Sequence, residues 1–327
     1  MRSAPGQRLT APEPGGSWAA TVGRLYAVAM LAPELARKFV DLYGERGTAW
    51  VEAFPATLEG LRRRWGLTLG ETFAYVGYAF VARVELPGGA PAVLKVAPTD
   101  PEFTNEIAAL RLYQGGGAVR LLDCDPEATA LLLERLEPGT PLAEMHDDAR
   151  ATEIAAGVMR ELWRPLPPGN AFPTMEGWGQ AFARVRAAYG GGSRPFPLDL
   201  FEKGERLYFE LCATAARPVL LHGDLHHWNI LAAGRGPWLA IDPKGVAGEP
   251  AYETGALLRN RMGVELDLRR LTERRAAQLA DALGLDRQRI LGWAFAQGVL
   301  SALWTLEGHG SVGEEQLMLP RALAGVV

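Results

Sequence analysis

The chain has 327 residues, of which 48% are hydrophobic and 22% are charged, so it can bury the core of one large domain or of two lobes. Its formal net charge is −4, whereas a nucleic-acid-binding protein usually carries a basic surplus or a basic stripe. No segment approaches the roughly 20 continuous apolar residues that a membrane helix needs. We therefore expect neither nucleic acid nor a membrane as a partner.

The two cysteines, Cys124 and Cys212, lie far apart in the sequence. Without a CxxC pair they give no support to a zinc site or a redox dithiol. We interpret both as reduced, small apolar side chains of a cytoplasmic protein. The sequence contains no indication of the oligomeric state.

The first 66 residues are predicted to contain a tail and a helical extension. Residues 1–17 are rich in proline and glycine and lack the apolar segment of a signal peptide, which predicts a disordered tail. In residues 18–66, apolar side chains recur at three- and four-residue spacings, as they do in amphipathic helices. The expected helices cover 18–28, 33–43 and 50–65, with a break at Pro55.

Residues 67–137 are predicted to form a β-rich N-lobe. β-branched and aromatic residues are frequent here, and glycines and a Pro-Gly-Gly turn separate the segments. The expected strands cover 67–73, 74–85, 92–97, 121–125 and 130–136, and a helix covers 102–114. This pattern indicates a five-stranded sheet with one helix after its third strand.

Residues 138–327 are predicted to form a larger, mostly helical C-lobe. The expected helices cover 143–163, 178–189, 199–216, 252–261, 267–283 and 287–307, and short strands cover 219–221, 230–232 and 238–242. The predicted fold class is therefore α+β, with a small antiparallel β-sheet lobe and a larger helical lobe.

The segment from Leu220 to Leu231 places polar residues between two apolar anchors. Asp224 and Asn229 lie five residues apart in it, and Asp242 follows Asn229 by thirteen residues, at the end of an apolar strand. Phosphoryl transfer requires a positioned acceptor hydroxyl and neutralised phosphate charge. A carboxylate can accept the hydroxyl proton, and amide and carboxylate oxygens are ligands that suit Mg²⁺. We therefore predict Asp224 as the catalytic base and Asn229 and Asp242 as Mg²⁺ ligands.

His222, His226 and His227 lie in the same segment, and three histidines also suggest a metal site. An Asp in a loop, taken alone, is usually a cap or a turn residue. We favour a role for His222 in bracing the loop through hydrogen bonds.

The spacing His-x-Asp-x-x-x-x-Asn, followed by an Asp at a strand end, resembles the catalytic arrangement of protein kinases. The form at 222–226, His-Gly-Asp-Leu-His, resembles the aminoglycoside-phosphotransferase and choline-kinase branch. The runs at 238–245, 248–252 and 257–260 resemble the aminoglycoside 6-phosphotransferase and hydroxyurea-kinase group, which includes streptomycin kinases. The resemblance spans residues 73–263 and implies a two-lobed, protein-kinase-like fold and an ATP- and Mg²⁺-dependent O-phosphotransferase.

Lys95 lies mid-strand between apolar neighbours, where an ammonium group is costly without a partner or an anionic ligand. The resemblance implies that it binds the α- and β-phosphates of ATP and pairs with a glutamate of the next helix. Glu106 is the expected partner, and Glu102, one helical turn earlier, is the rival. The alternative is an edge-strand lysine that extends its ammonium group into solvent.

The resemblance also implies a phosphate-covering turn and a linker that binds adenine. Tyr78 follows Gly77, the single glycine of the first turn, and is expected to lie over the phosphates or to plug the site. Glu134 and Leu136 mark the linker, whose backbone groups would hydrogen-bond to adenine.

A cationic, polyhydroxylated acceptor should be bound by carboxylates and hydrogen-bonding groups. The candidates are Glu249, Glu253, Asp199 and Asn260. Glu253 could equally be a first-turn residue that the helix dipole favours, and Arg259 is expected to pair with a carboxylate of the catalytic core. The leading substrate hypothesis is a streptomycin-like aminoglycoside that is phosphorylated at its 6-hydroxyl.

Two other functions remain open from the sequence. One is a kinase with a different acceptor, such as hydroxyurea, choline, a sugar or an amino alcohol. The other is a non-catalytic, nucleotide-binding pseudokinase. The sparse glycine turn favours this second alternative, and the presence of all the catalytic positions disfavours it.

Overall fold

The computed structural model of the chain describes residues 31–73, 77–98, 101–260 and 267–327. The predicted tail over 1–17, the predicted helix over 18–28 and the start of the strand predicted over 74–85 lie outside these residues. Two compact units make up the chain, residues 1–90 and residues 91–327. The boundary between an N-lobe and a C-lobe at 137/138 stays a prediction.

The first unit contains two helices and two paired strands. Helix α1 covers Pro33–Tyr43, helix α2 covers Glu45–Trp65, strand β1 covers Thr68–Thr72 and strand β2 covers Phe80–Glu85. Pro33 begins α1, where the missing N–H of a proline would have no partner within the helix. The two strands pair antiparallel, with Thr68 opposite Glu85. The helix over 33–43 and the first strand pair are thereby confirmed.

Helix α2 continues through Pro55, so the predicted break there is wrong. An interior proline removes one N–H···O bond and costs about 3 kcal/mol. The same helix buries Phe54, Leu58 and Leu61 almost completely, and each buried side chain of this size contributes about 1.5–3 kcal/mol. Phe54 also contacts Phe80 of β2, with ring centroids 4.8 Å apart. The packing of this face therefore outweighs the missing hydrogen bond.

The second unit begins with three antiparallel strands and one helix. Strand β3 covers Pro91–Val96, helix α3 covers Pro101–Tyr113, strand β4 covers Leu121–Asp125 and strand β5 covers Ala130–Glu134. β5 pairs with both β3 and β4, and Lys95 lies opposite Leu131. The helix and the strands predicted for this region are confirmed, although β5 ends at Glu134 rather than at residue 136.

The rest of the second unit is mostly helical. The helices are α4 (Asp148–Leu162), α5 (Met175–Trp178), α6 (Gln180–Ala188), α7 (Leu198–Ala213), α8 (Pro250–Arg259), α9 (Leu268–Leu283), α10 (Arg287–His309) and α11 (Glu314–Leu323). α4 begins later than predicted because Asp147 caps it and accepts a hydrogen bond of 3.1 Å from the Arg150 N–H. The sequence pattern did not predict α11. No helix among the described residues has the length and apolar character needed to cross a membrane.

Between residues 138 and 248, short strands form two small antiparallel sheets. The strands are β6 (Pro138–Pro141), β7 (Arg164–Pro165), β8 (Val219–Leu221), β9 (Ile230–Ala233), β10 (Trp238–Ala240) and β11 (Val246–Gly248). The strand order is β10-β9-β6 in one sheet and β11-β8-β7 in the other. The predicted strands β8, β9 and β10 are confirmed. The other three were not expected, because such short segments show no period.

Helix α10 forms the centre of the helical core. Trp293 is fully buried, and its ring packs edge-on against Tyr208 of α7 and Tyr252 of α8, with centroids 5.2 and 4.9 Å apart. Gly255 of α8 lies so close to Gln297 that a Cβ atom would be 2.4 Å from its amide carbon. These contacts fix the position of α8, which packs behind the loop that follows β8.

Candidate active site

Two loops that carry predicted catalytic residues lie side by side. Residues 222–229 connect β8 to β9, and residues 241–245 connect β10 to β11. Because β8 pairs with β11 and β9 pairs with β10, the ends of one loop are held next to the ends of the other. The Ile241 N–H also donates to the Asn229 carbonyl over 2.9 Å. Strand pairing therefore brings Asp242 beside Asn229.

His222 is fully buried and braces both loops. Burial lowers the pKa of its imidazole to about 4, so the ring is neutral near pH 7. The Asp224 N–H donates to Nδ1 over 3.2 Å, so Nε2 carries the proton and donates to the Ile241 carbonyl over 2.8 Å. The predicted bracing role of His222 is confirmed.

Glu253 holds the start of the first loop from α8. Its carboxylate accepts the N–H groups of His222 and Gly223, over 2.6 and 2.9 Å. The residue is 1% exposed, and burial raises the pKa of its carboxyl group from 4.5 to about 7. Gly223 has a φ of +86°, and a Cβ atom there would lie 2.6 Å from the Val246 side chain. The turn into Asp224 therefore requires glycine.

The Asp224 side chain is about one third exposed, with two nitrogen groups nearby. Arg259 Nη2 lies 3.7 Å from Oδ1, and His226 Nε2 lies 3.7 Å from Oδ2. The predicted pairing of Arg259 with a carboxylate of the catalytic core is confirmed. At these distances both Asp224 oxygens can still accept a hydrogen bond from an incoming hydroxyl group.

Lys95 lies at the centre of a charged cluster. Its Nζ donates to both Glu106 oxygens, over 2.8 and 2.7 Å, and to Asp242 Oδ1. Burial opposes the charge on Lys95, but the two carboxylates outweigh burial and raise the pKa of the ammonium group. Burial also opposes the charge on Asp242, yet Lys95 and Lys244 lower the pKa of that carboxyl group. The structure thus pairs Lys95 with Glu106 rather than with Glu102.

Asn229 and Asp242 offer hard oxygen ligands to a cation. The Asn229 amide nitrogen donates to the Asp224 carbonyl over 3.0 Å, which leaves the amide oxygen for a ligand role. The Asp242 side chain is 36% exposed, at a backbone φ of +59° that Asp tolerates better than most residues. This donor set fits Mg²⁺, which takes its other ligands from phosphate and water. Within the described ranges, no group of three or more His, Cys, Asp and Glu side chains is arranged to hold a metal ion.

A cavity of about 180 Å³ lies beside Asp224. Its polar wall includes Asp224, His226, Arg259, Asn260, Ser301, Glu315 and Gln316. Three buried atoms of this wall have no hydrogen-bond partner in the part of the chain that the structure describes, namely His226 Nδ1, Arg259 Nε and Asn260 Oδ1. Buried polar atoms normally meet water or a ligand. Sequence reasoning missed Ser301 and Glu315, because they lie on α10 and α11 and no local motif marks them.

Of the four expected acceptor residues, one lines this cavity. Asn260 lines the cavity, whereas Glu249, Glu253 and Asp199 do not. Glu249 is 2% exposed and accepts hydrogen bonds of 2.7 and 2.9 Å from Arg289, and Asp199 is exposed in the first turn of α7. Buried carboxylates need donors, and for Glu249 and Glu253 those donors belong to the protein itself.

The other expected ATP-binding residues make their own contacts. Tyr78 is 57% exposed, and the ammonium group of Lys38 in α1 lies 4.0 Å from its ring centroid. The Glu134 carboxylate accepts two hydrogen bonds from Arg235, over 2.7 and 2.8 Å. Leu136 is half-buried against the core. The backbone N–H of Glu134 donates to the Arg120 carbonyl over 2.9 Å, so this donor of the expected linker is bound within the protein.

A sequence model of the family described as aminoglycoside/hydroxyurea antibiotic resistance kinase matches residues 65–308. The chain belongs to this family. It is similar to a streptomycin 6-kinase of Streptomyces glaucescens, 35% identical over 295 residues that cover 89% of this chain and 96% of the relative. It is also similar to a hydroxyurea phosphotransferase of Kitasatospora aureofaciens, 33% identical over 326 residues that cover 95% and 90% of the two chains.

The fold of this chain is shared with more distant proteins. A crystal structure of an aminoglycoside phosphotransferase in ternary complex with ADP and hygromycin B has a TM-score of 0.58 at 13% identity, covering 82% of this chain and 96% of that one. This likeness confirms the predicted protein-kinase-like α+β fold. Membership in the family makes the chain a small-molecule kinase, a phosphotransferase with an alcohol group as acceptor.

Proposed function

We propose that this kinase transfers the γ-phosphoryl group of ATP, with Mg²⁺, to a hydroxyl group of a cationic, polyhydroxylated small molecule. A streptomycin-like aminoglycoside and its 6-hydroxyl are the leading candidate. The observation that carries the proposal is the position of Asp224 on the cavity wall, with its backbone hydrogen-bonded to Asn229. A base at a cavity, tied to a pair of cation ligands, is the arrangement that phosphoryl transfer requires.

In the proposed reaction, the acceptor hydroxyl group lies in the cavity and donates a hydrogen bond to Asp224. Its oxygen forms a bond to the γ-phosphorus while its proton passes to the Asp224 carboxylate. The bond from the γ-phosphorus to the bridging oxygen breaks, and the electron pair leaves with ADP.

The charged cluster supports this transfer. Lys95 neutralises charge on the α- and β-phosphates, and Glu106 holds its ammonium group in place. Bound Mg²⁺, held by Asn229 and Asp242, would neutralise further phosphate charge. The contacts of Tyr78 with the phosphates, and of the backbone near Glu134 and Leu136 with adenine, are parts of the proposal that follow from the family resemblance.

The cavity wall supports a polar, cationic acceptor. Arg259 Nε and Asn260 Oδ1, which have no partner among the described residues, are offered to hydroxyl groups. The Glu315 carboxylate offers a partner for a guanidinium or ammonium group. The relative named streptomycin 6-kinase motivates the choice of streptomycin. We assign Glu249 and Glu253 to structural roles, since their oxygens are bound within the protein.

A smaller acceptor such as hydroxyurea is the second candidate. The cavity of about 180 Å³ is smaller than typical ligand pockets of about 300–1,000 Å³. A relative that covers 95% of this chain is named hydroxyurea phosphotransferase. Either acceptor would use the same Asp224 chemistry, so the two candidates differ only in what the cavity wall recognises.

The test is a coupled ADP-release assay of the purified protein with ATP, Mg²⁺ and, in separate reactions, streptomycin, hydroxyurea and choline. We expect turnover with streptomycin, and phosphorus NMR should locate the new phosphate on the 6-hydroxyl. Turnover with hydroxyurea alone would select the second candidate. No turnover with any of the three would contradict the proposed acceptor class.

A matched pair of variants tests the role of Asp224. Asp224→Asn should lower kcat at least 100-fold, because general-base catalysis contributes roughly 10²–10⁴-fold, while ATP affinity changes little. Asp281→Asn, which changes an exposed carboxylate of α9, should leave kcat within about twofold of the wild type. Equal activities of the two variants would rule out Asp224 as the base.

A further inference from the structure

Lys244 is a second lysine beside the charged cluster, and the proposed chemistry gives it no role. Its side chain is 25% exposed, and its ammonium group lies 3.2 Å from Glu102 Oε2 and 3.5 Å from Asp242 Oδ2. Charge-assisted hydrogen bonds are usually about 2.7–2.9 Å long, as the contacts of Lys95 with Glu106 are. The ammonium group of Lys244 is therefore held near the site without a short bond to either of these carboxylates.

The backbone fixes where the Lys244 side chain begins. Its N–H donates to the His222 carbonyl over 2.8 Å. A Cβ atom on Gly223 would lie 3.4 Å from Lys244 Cβ. The side chain thus starts beside the loop that carries the proposed base, Asp224, and two residues after the proposed cation ligand, Asp242. Burial opposes the charge on this ammonium group, but Asp242, Glu102, Asp224 and Glu106 together raise its pKa.

The path of the transferred phosphoryl group gives a reason for the position of the Lys244 ammonium group beside Asp242. In the proposed function, on which this inference rests, the γ-phosphoryl group leaves a nucleotide held at Asp242 and Lys95 and joins an oxygen held at Asp224. Its negative charge spreads over three equatorial oxygens during transfer. A cation beside Asp242, on a side chain that starts next to the Asp224 loop, is near this path and can stabilise the charge that develops on those oxygens.

We propose that Lys244 contacts the transferred phosphoryl group and donates hydrogen bonds to its equatorial oxygens. The lysine stays protonated throughout, and the bonds formed and broken are those of the transfer itself. Lys244 thereby differs from Lys95, which binds the phosphates that remain in ADP. The group that Lys244 recognises is the terminal phosphoryl group of a nucleoside triphosphate, which a diphosphate lacks.

The difference between triphosphate and diphosphate gives the test. The affinities of Lys244→Ala and of the wild type for ADP and for a non-hydrolysable ATP analogue are measured by calorimetry, with Mg²⁺ and separately in EDTA. We expect Lys244→Ala to bind the ATP analogue about tenfold more weakly and ADP less than twofold more weakly. Its kcat should fall about 10²-fold, as when one donor to a developing charge is removed. Lys244→Arg should restore most of the affinity for the ATP analogue.

A purely structural role for Lys244 predicts a different result. If Lys244 only holds Glu102 in place, Glu102→Gln should reproduce the loss seen in Lys244→Ala, and ADP and the ATP analogue should weaken together. Either outcome would overturn the proposal for Lys244. Failure of the wild type to bind any nucleotide would instead overturn the proposed function, and the role of Lys244 with it.

Discussion

At the scale of single residues, Glu253 holds the start of the loop that carries the proposed base, Asp224. Its carboxylate accepts the successive N–H groups of His222 and Gly223 while almost completely buried. Burial raises the pKa of this carboxyl group from 4.5 to about 7. Between these two pH values the folded protein therefore binds a proton at Glu253 more tightly than the unfolded chain does.

The sign of this linkage gives a prediction for stability. The stability that protonated Glu253 contributes is complete below pH 4.5 and is lost as the pH rises through about 7. Glu253→Gln removes the titration, so the unfolding free energy of the wild type minus that of the variant should fall by about 2 kcal/mol between pH 5 and pH 7.5. Urea unfolding at both pH values measures this, with exposed Glu52→Gln as the control. A difference that is the same at both pH values would show that the pKa of Glu253 is not raised.

Asp224 and Glu253 show how much of a site a sequence reveals. The spacing of Asp224, Asn229 and Asp242 could be recognised because all three lie in loops next to short apolar strands, and strand pairing then brings the loops together. Glu253 directly follows residues 248–252, one of the runs that carry the family resemblance. Whether its carboxylate faces a cavity or backbone donors depends on the rotation of α8, which packing against Trp293 of α10 sets. Tyr252 and Trp293 lie far apart in the sequence, so local patterns did not predict the direction in which the Glu253 carboxylate points.

At the scale of elements, one side chain ties the turn between β9 and β10 to the end of β5. Arg235 donates to both oxygens of Glu134, over 2.7 and 2.8 Å, and to the carbonyls of Gly115 and Ala118, over 2.7 Å each. Hydrogen bonds between charged groups are roughly twice as strong as neutral ones. This tie stabilises the hairpin that precedes Asp242.

Arg235→Ala should lower the unfolding free energy by about 2 kcal/mol, because Glu134 loses its guanidinium partner and two carbonyls lose a donor. Urea unfolding at neutral pH measures the change. Arg206→Ala is the matched control, since Arg206 is 64% exposed and lies 4.0 Å from Glu210. That substitution should change stability by no more than about 0.5 kcal/mol. If the two variants have equal unfolding free energies, the contacts of Arg235 with Glu134, Gly115 and Ala118 do not stabilise the protein.

The elements that the sequence predicted best are those with the longest repeats. α1, α9 and α10 begin and end within a few residues of the prediction, because apolar spacing extends over several turns. β6, β7 and β11 contain two to four residues each, and their pairing partners lie elsewhere in the chain. These strands form only because they pair with distant segments, so the local sequence pattern does not predict them. Continuation of α2 through Pro55 likewise depends on the packing of Phe54, Leu58 and Leu61.

At the scale of the whole molecule, the family match ends before one part of the proposed acceptor cavity. The match covers residues 65–308 and includes Lys95 and Asp224. Helix α11 begins at Glu314, beyond the match, and supplies Glu315 and other residues of the cavity wall. The residues of the proposed transfer chemistry therefore lie within the matched range, while part of the proposed acceptor contact lies beyond it. Acceptor preference can then change without any change at the proposed catalytic residues.

Glu315→Gln tests this division of roles. Loss of the carboxylate should raise KM for streptomycin about tenfold, which corresponds to about 1.4 kcal/mol, and should leave KM for ATP unchanged. The difference between wild type and variant should shrink at high salt, because a charge at an accessible wall is screened. Glu314→Gln is the matched control, since the neighbouring carboxylate pairs with Arg321 and does not line the cavity. If KM for an uncharged acceptor such as hydroxyurea rises by the same factor, Glu315 does not recognise positive charge. If KM for ATP rises as well, α11 is not confined to the acceptor side.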